Sequence, residues 1–145
     1  VARLVPRAGT PIGAGKHTVS LRWEAPLLDG GLGFVVHKYA GASGEDVHFA
    51  FTDLQPHGAR SVMPCWDEPE LKAEFDVKLT TPAGLTVLGN MPAESEVESG
   101  GEKVVTFRRT PRMSTYLFAV AVGRLERLSA EPVGGVEVSV LVRRG

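Results

Sequence analysis

The sequence predicts an all-β fold, a sandwich of mostly antiparallel strands, on three observations. The dominant hydrophobic period is two, glycine-rich turn signals recur between short runs, and no window of ten residues carries a helical stripe. Ala73–Thr80 alternates apolar and polar over its whole length, as a strand with one wet face does. Val19, Leu21 and Trp23 make one face of a strand over His17–Glu24, and Val136, Val138, Val140 and Val142 make one face of another. Leu117–Val122 is continuously apolar and ends at Gly123, the pattern of a strand covered on both sides. Gly41–Asp46 separates Gly33–Ala40 from Val47–Thr52. Ser99-Gly100-Gly101 joins Glu94–Glu98 to Lys103–Arg108 in the most hairpin-like stretch. Asp29-Gly30-Gly31, Pro82-Ala83-Gly84 and Val133-Gly134-Gly135 mark further turns. Seven or eight strands result, with Phe75, Val77, Leu79, Phe107, Leu117, Val120, Val138 and Val140 as the expected core. The one helical element is a single turn at Asp67–Lys72, where Asp67 and Glu70 stand at capping-box spacing and Pro69 lies in the first turn.

A chain of 145 residues has room for one domain, and 43% hydrophobic residues suffice for a core. Residues 1–16, with two Pro and three Gly, read as an irregular lead-in. Sixteen basic against seventeen acidic side chains leave a net charge of -1, which argues against a nucleic-acid partner or a polybasic membrane anchor. The six-residue run Leu117–Val122 falls far short of the 18 or so that a membrane helix needs, so no membrane partner is expected. Val1-Ala2-Arg3 opens no signal segment, and the single cysteine, Cys65, excludes an intrachain disulfide. The expected location is cytoplasmic.

Chemistry-bearing patterns are sparse. His17, His37, His48 and His57 lie 20, 11 and 9 residues apart, and none forms the i, i+4 pair that presents two imidazoles to zinc. Cys65, between Pro64 and Trp66, reads as a structural thiol. No Gly-x-Ser-x-Gly elbow occurs. Gly13-Ala14-Gly15 and Gly31-Leu32-Gly33 lack the helix that a dinucleotide loop requires. No catalytic residue, metal ligand or cofactor is therefore expected in this chain. The densest polar–apolar mixture is Phe49–Pro69. There, alternation puts Asp53 and Gln55 on one side of a strand end, about 7 Å apart. Such a pair could hold an ammonium group or could satisfy loop amides.

The same segment carries a resemblance. Phe51-Thr52-Asp53-Leu54-Gln55-Pro56, Ala59-Arg60 and the run from Met63-Pro64-Cys65-Trp66-Asp67-Glu68-Pro69 to Val77 resemble the N-terminal domain of the zinc aminopeptidases typified by aminopeptidase N. Gly33-Phe34 with Tyr39, Asn90-Met91-Pro92 and Thr110-Pro111-Arg112-Met113-Ser114-Thr115-Tyr116-Leu117 follow in the family's order. The resemblance spans roughly residues 17–145. It implies a saddle-like β-sandwich that packs on a thermolysin-like catalytic domain, here lacking the family domain's first strands. In that family the zinc motif, His-Glu-x-x-His with a later Glu, and the Gly-x-Met-Glu-Asn motif lie in the next domain. Neither is in this chain, and Arg143-Arg144-Gly145 falls about where that domain would begin. Zinc is thus expected in the full-length protein and not in residues 1–145.

The resemblance also assigns the substrate-binding positions. The family places Gln-x-Glu before the position of Pro56, with Gln lining the first side-chain pocket and Glu holding the α-amino group. Asp53 and Gln55 stand at those two positions here. The implied function is a substrate-cleft domain of a zinc-dependent aminopeptidase, non-catalytic alone, whose partners are its own catalytic domain and a peptide. The alternative is a non-catalytic aminopeptidase-like binding or scaffold module, which the replaced pair favours. A sheet edge or face left without the family's leading strands would make the chain self-associate.

Overall fold

The structure, a computed structural model, describes residues 13–41 and 43–143. Four strands form one antiparallel sheet: β1 (Gly33–Ala40), β2 (Asp46–Asp53), β4 (Thr86–Gly89) and β7 (Val120–Gly123), in the order β1-β2-β7-β4. A second antiparallel sheet holds β3 (Lys78–Pro82), β5 (Ala93–Ser99) and β6 (Glu102–Phe107), in the order β3-β6-β5. β8 (Leu125–Val133) and β9 (Val136–Arg143) make a separate two-stranded ribbon. The only helical pieces among the described residues are two 3-10 turns, Ala59–Ser61 and Thr115–Leu117. The all-β expectation holds, with nine strands among the described residues rather than seven or eight.

The two larger sheets meet face to face, as in a sandwich. Val87 of β4 packs with Val105 and Phe107 of β6, and Val77, Leu79 and Val122 close in around them. Val105, with none of its surface exposed, is the largest fully buried side chain. Val35, Val47, Leu54, Ala59 and Val120 are buried around the four-stranded sheet. The glycine pairs set the hairpins. Gly100 and Gly101 both take positive φ (61° and 84°) between the paired Ser99 and Glu102, the twist that a two-residue hairpin turn demands. Gly134 and Gly135 repeat the device between Val133 and Val136.

Several expectations need correction. His17–Glu24 forms no strand: its backbone finds no ladder partner among the described residues, and Val19, Leu21 and Trp23 are exposed. Alternation alone marks an amphipathic extended segment, whereas a strand also needs a neighbour to bond to. The lead-in is irregular at residues 13–16, and residues 1–12 lie outside the described residues. Ala73–Thr80 is a ladder strand only from Lys78, with an isolated bridge at Ala73 and single backbone bonds at Phe75 and Val77 before it. Val77 O accepts from Phe107 N at 3.0 Å, while Ala73 and Met113 exchange both backbone bonds at 3.0 and 2.9 Å. Between these anchors one chain advances four residues and the other six, so the ladder cannot stay in register. At Asp67–Lys72 only an isolated turn forms, Leu71 N donating to Glu68 O at 2.9 Å, and Asp67 does not cap it because its carboxylate is bonded to Arg60 and Thr115 instead. The run Leu117–Val122 splits between the second 3-10 turn and β7, which leaves Leu117 exposed. Val138 and Val140 are exposed as well, on a β8–β9 ribbon that pairs with no other strand among the described residues.

Candidate functional site

Asp53 is the last residue of β2, opposite Gly33 of β1. Its side chain is exposed, Leu54 is buried, and Gln55 is exposed again. The apolar residue between them is the anchor that turns both polar side chains outward. Past Asp53 the strand gives way to a turn containing a cis Gln55–Pro56 bond, closed by Gly58 N donating to Leu54 O at 2.8 Å. Gly58 is packed so tightly that a Cβ there would stand 2.8 Å from Leu54 Cα and 3.0 Å from Asp53 O. Only glycine lets the chain fold back this closely.

The turn leads into the 3-10 turn Ala59–Ser61, and Asp67 holds that element. Asp67 Oδ2 accepts from both the backbone N and Nε of Arg60 at 3.1 Å, and Oδ1 accepts from Thr115 Oγ1 at 2.8 Å. Arg60 also donates to the Asp67 carbonyl at 2.9 Å. Burial works against ionising Asp67, but the bonds from the Arg60 amide, the Thr115 hydroxyl and the Arg60 guanidinium prevail and hold its carboxyl below the usual aspartate value. On the other flank Thr52, one residue before Asp53, accepts from Val120 N at 3.0 Å and donates to Phe118 O at 3.2 Å. Asn90 clamps the same segment, donating to Leu117 O and accepting from Ala119 N, both at 2.7 Å.

The other sequence candidates do not converge. His17 bonds Gly13 O, His37 stacks on Phe51 with ring centroids 5.3 Å apart, and His48 and His57 are exposed. No three His, Cys, Asp or Glu side chains among the described residues are placed to share a metal ion. The Cys65 thiol is half-buried, and burial, then the Asp67 charge, push its pKa up against the opposing Arg60. A thiol kept protonated at neutral pH is no ready nucleophile. A shallow depression of about 360 Å³ lies on the three-stranded sheet, lined by Lys78, Phe107, Arg109 and their neighbours, and shares no residue with the Asp53 turn. Arg60, Asp67 and Thr115 escape reasoning by spacing, because 48 residues separate Asp67 from Thr115. Their only sequence signal is that they sit in the motif pieces around Ala59-Arg60, Pro64–Pro69 and Thr110–Leu117.

Comparison with known proteins adds the family. Residues 4–117 match the family model described as the Peptidase M1 N-terminal domain. Over 142 residues the chain is 37% identical to Aminopeptidase M1-A of Oryza sativa subsp. japonica, covering 98% of this chain and 16% of that protein. It is 40% identical over 127 residues to the Puromycin-sensitive aminopeptidase of Caenorhabditis elegans, covering 86% of this chain and 13% of that protein. Over 124 residues it is 35% identical to Aminopeptidase N of Acetobacter pasteurianus, covering 85% of this chain and 35% of that protein. The chain therefore spans about a third or less of the length of each of these relatives.

Proposed function

This chain belongs to the peptidase M1 family, as its N-terminal domain, and from that premise we propose that it walls the substrate cleft of a zinc-dependent aminopeptidase. Its partners are the catalytic domain of the same protein and a peptide bearing a free amino terminus. The observation that carries this reading is the exposure of Asp53 and Gln55 on either side of buried Leu54, on a turn tied down at both ends. A neutral amide can accept from an ammonium group through its carbonyl oxygen, so Gln55 takes the α-amino group. Charge-assisted bonds are roughly twice as strong as neutral ones, so Gln55 holds that group less firmly than a Glu would. Asp53 places a carboxylate where the first side chain lies and favours Lys or Arg there.

The described residues do not fit a zinc site, having no three converging ligands. The metal, and the hydrolytic step it supports, belong to the remainder of the protein, and this chain only binds and orients. The cytoplasm suits a chain with one cysteine, and none of its described helices is long and apolar enough to cross a membrane. A second reading, an aminopeptidase-like binding or scaffold module without peptidase activity, is favoured by the replacement of Gln-x-Glu with Asp53-Leu54-Gln55.

One experiment separates them. In the complete gene product, Asp53→Gln shifts preference from basic toward apolar first residues, while Gln55→Glu mainly lowers KM. Equal rates on arginyl and leucyl substrates before and after Asp53→Gln refute the role of Asp53. A complete gene product that releases no amino acid from any aminoacyl-nitroanilide establishes the second reading.

A further inference from the structure

Asp67 is the one charged side chain buried among the described residues, with 5% of its surface exposed. A carboxylate this deep is retained at a desolvation cost, and a buried charge of this kind gives weak stability for its burial but a well-defined geometry. What it defines is a closed circuit of bonds around the exposed pair. Asp67 joins Arg60, in the middle of the first 3-10 turn, to Thr115, at the start of the second. The second turn runs into Phe118 and Val120, which bond Thr52 immediately before Asp53. The first turn closes through Gly58 onto Leu54 immediately after it. Gln55, Pro56 and His57 lie on the exposed part of this circuit, and the Gln55 side chain bonds to no other described residue. The place of Gln55 is thus set by the ends of its turn and not by contacts of its own.

We propose that Asp67 is a positioning residue for recognition of the peptide amino terminus, fixing through Arg60 and Thr115 the turn that presents Gln55 beside Asp53. This rests on the reading of Asp53 and Gln55 as the peptide-binding pair. A binding group must be held within about 0.5 Å of its productive position, and a turn with solvent on its outer side owes that precision to its anchors.

The test is a double-mutant cycle in the complete gene product, read by steady-state kinetics on alanyl- and arginyl-nitroanilides. Gln55→Ala should raise KM by roughly two- to tenfold, the range of one hydrogen bond, with kcat unchanged. Asp67→Asn should raise KM in the same range, again at constant kcat. The double variant should be no worse than Gln55→Ala alone, because a misplaced Gln55 has nothing further to lose. Should Asp67→Asn fail to fold, Thr115→Val withdraws one donor and should raise KM, and Thr115→Ser should return it to the wild-type value. Multiplicative effects of Asp67→Asn and Gln55→Ala, or a fall in kcat at constant KM, overturn the inference alone. No effect of Gln55→Ala, or no aminopeptidase activity in the wild type, overturns the amine-site reading and the inference with it.

Discussion

Truncating Phe107 tests the sandwich at the joint between its two main sheets. Phe107 is 6% exposed and packs against Val87 and Val105, so Phe107→Ala removes a whole aromatic ring from the shared core. Such changes cost about 3–5 kcal/mol. The low end applies here, about 3 kcal/mol, because the ring also borders the shallow depression beside Lys78 and Arg109. At this chain length that corresponds to a fall in Tm of roughly 6–12 °C. A partner substitution makes the test sharper. A Cβ on Gly89 would lie 3.0 Å from Phe107 Cε1 and 3.1 Å from Cδ1, so Gly89→Ala overpacks the ring. Overpacking costs about 1–3 kcal/mol, offset in part by the roughly 0.5–1 kcal/mol that Ala gains over Gly within a strand. In the Phe107→Ala background the clash is gone and the gain remains, so Gly89→Ala should become stabilising by about 0.5–1 kcal/mol. The gain is common to both backgrounds and cancels, so the coupling between the two sites should equal the overpacking cost, about 1–3 kcal/mol, by urea unfolding of the four variants. Additivity to within about 0.5 kcal/mol, or a loss below about 1 kcal/mol for Phe107→Ala, would refute this packing.

Three other outcomes follow from the same geometry. The folded-state pKa of Asp67 is depressed, so its stabilisation is complete above the unfolded value near 3.9 and is lost as pH falls through the lower folded value. Asp67→Asn should therefore cost about 1–3 kcal/mol at neutral pH, by urea titration, with the gap to wild type closing roughly from pH 4 downward; a gap independent of pH refutes the ionised state. After dialysis the 145-residue chain should retain no stoichiometric zinc, and one equivalent found by atomic absorption would reveal a site missed by the geometry. The apolar face of the β8–β9 ribbon, with Leu128 and Val140 half exposed, should drive concentration-dependent self-association. Light scattering should show Val140→Lys shifting the chain toward monomer, and a wild type already monomeric at high concentration would count against it.

What was legible in the sequence was local. Period-two alternation and turn signals identified β1, β2, β5, β6 and β9, and the glycine pairs marked both two-residue turns, because side-chain direction and the sign of φ are properties of one or two residues. Gly100-Gly101 and Gly134-Gly135 fell where the backbone needed positive φ at both central positions. The motif pieces pointed to the family, whereas β2 stops at Asp53 and leaves Gln55 in the turn beyond it, past the reach of strand alternation.

What the tertiary structure decided was partnership. Val138 and Val140 alternate as well as Val77 and Leu79 do, yet only the latter meet a second sheet, and no sequence period says which apolar face is covered. His17–Glu24 has the alternation of a strand but no backbone ladder partner among the described residues, so it is none. Asp67 has the spacing of a helix cap, but its carboxylate is turned toward Arg60 and Thr115, and a side chain held in that direction does not cap the amide three residues on. Alternation and turn chemistry are written residue by residue, whereas burial and long-range hydrogen bonds exist only once distant segments compete for the same neighbour.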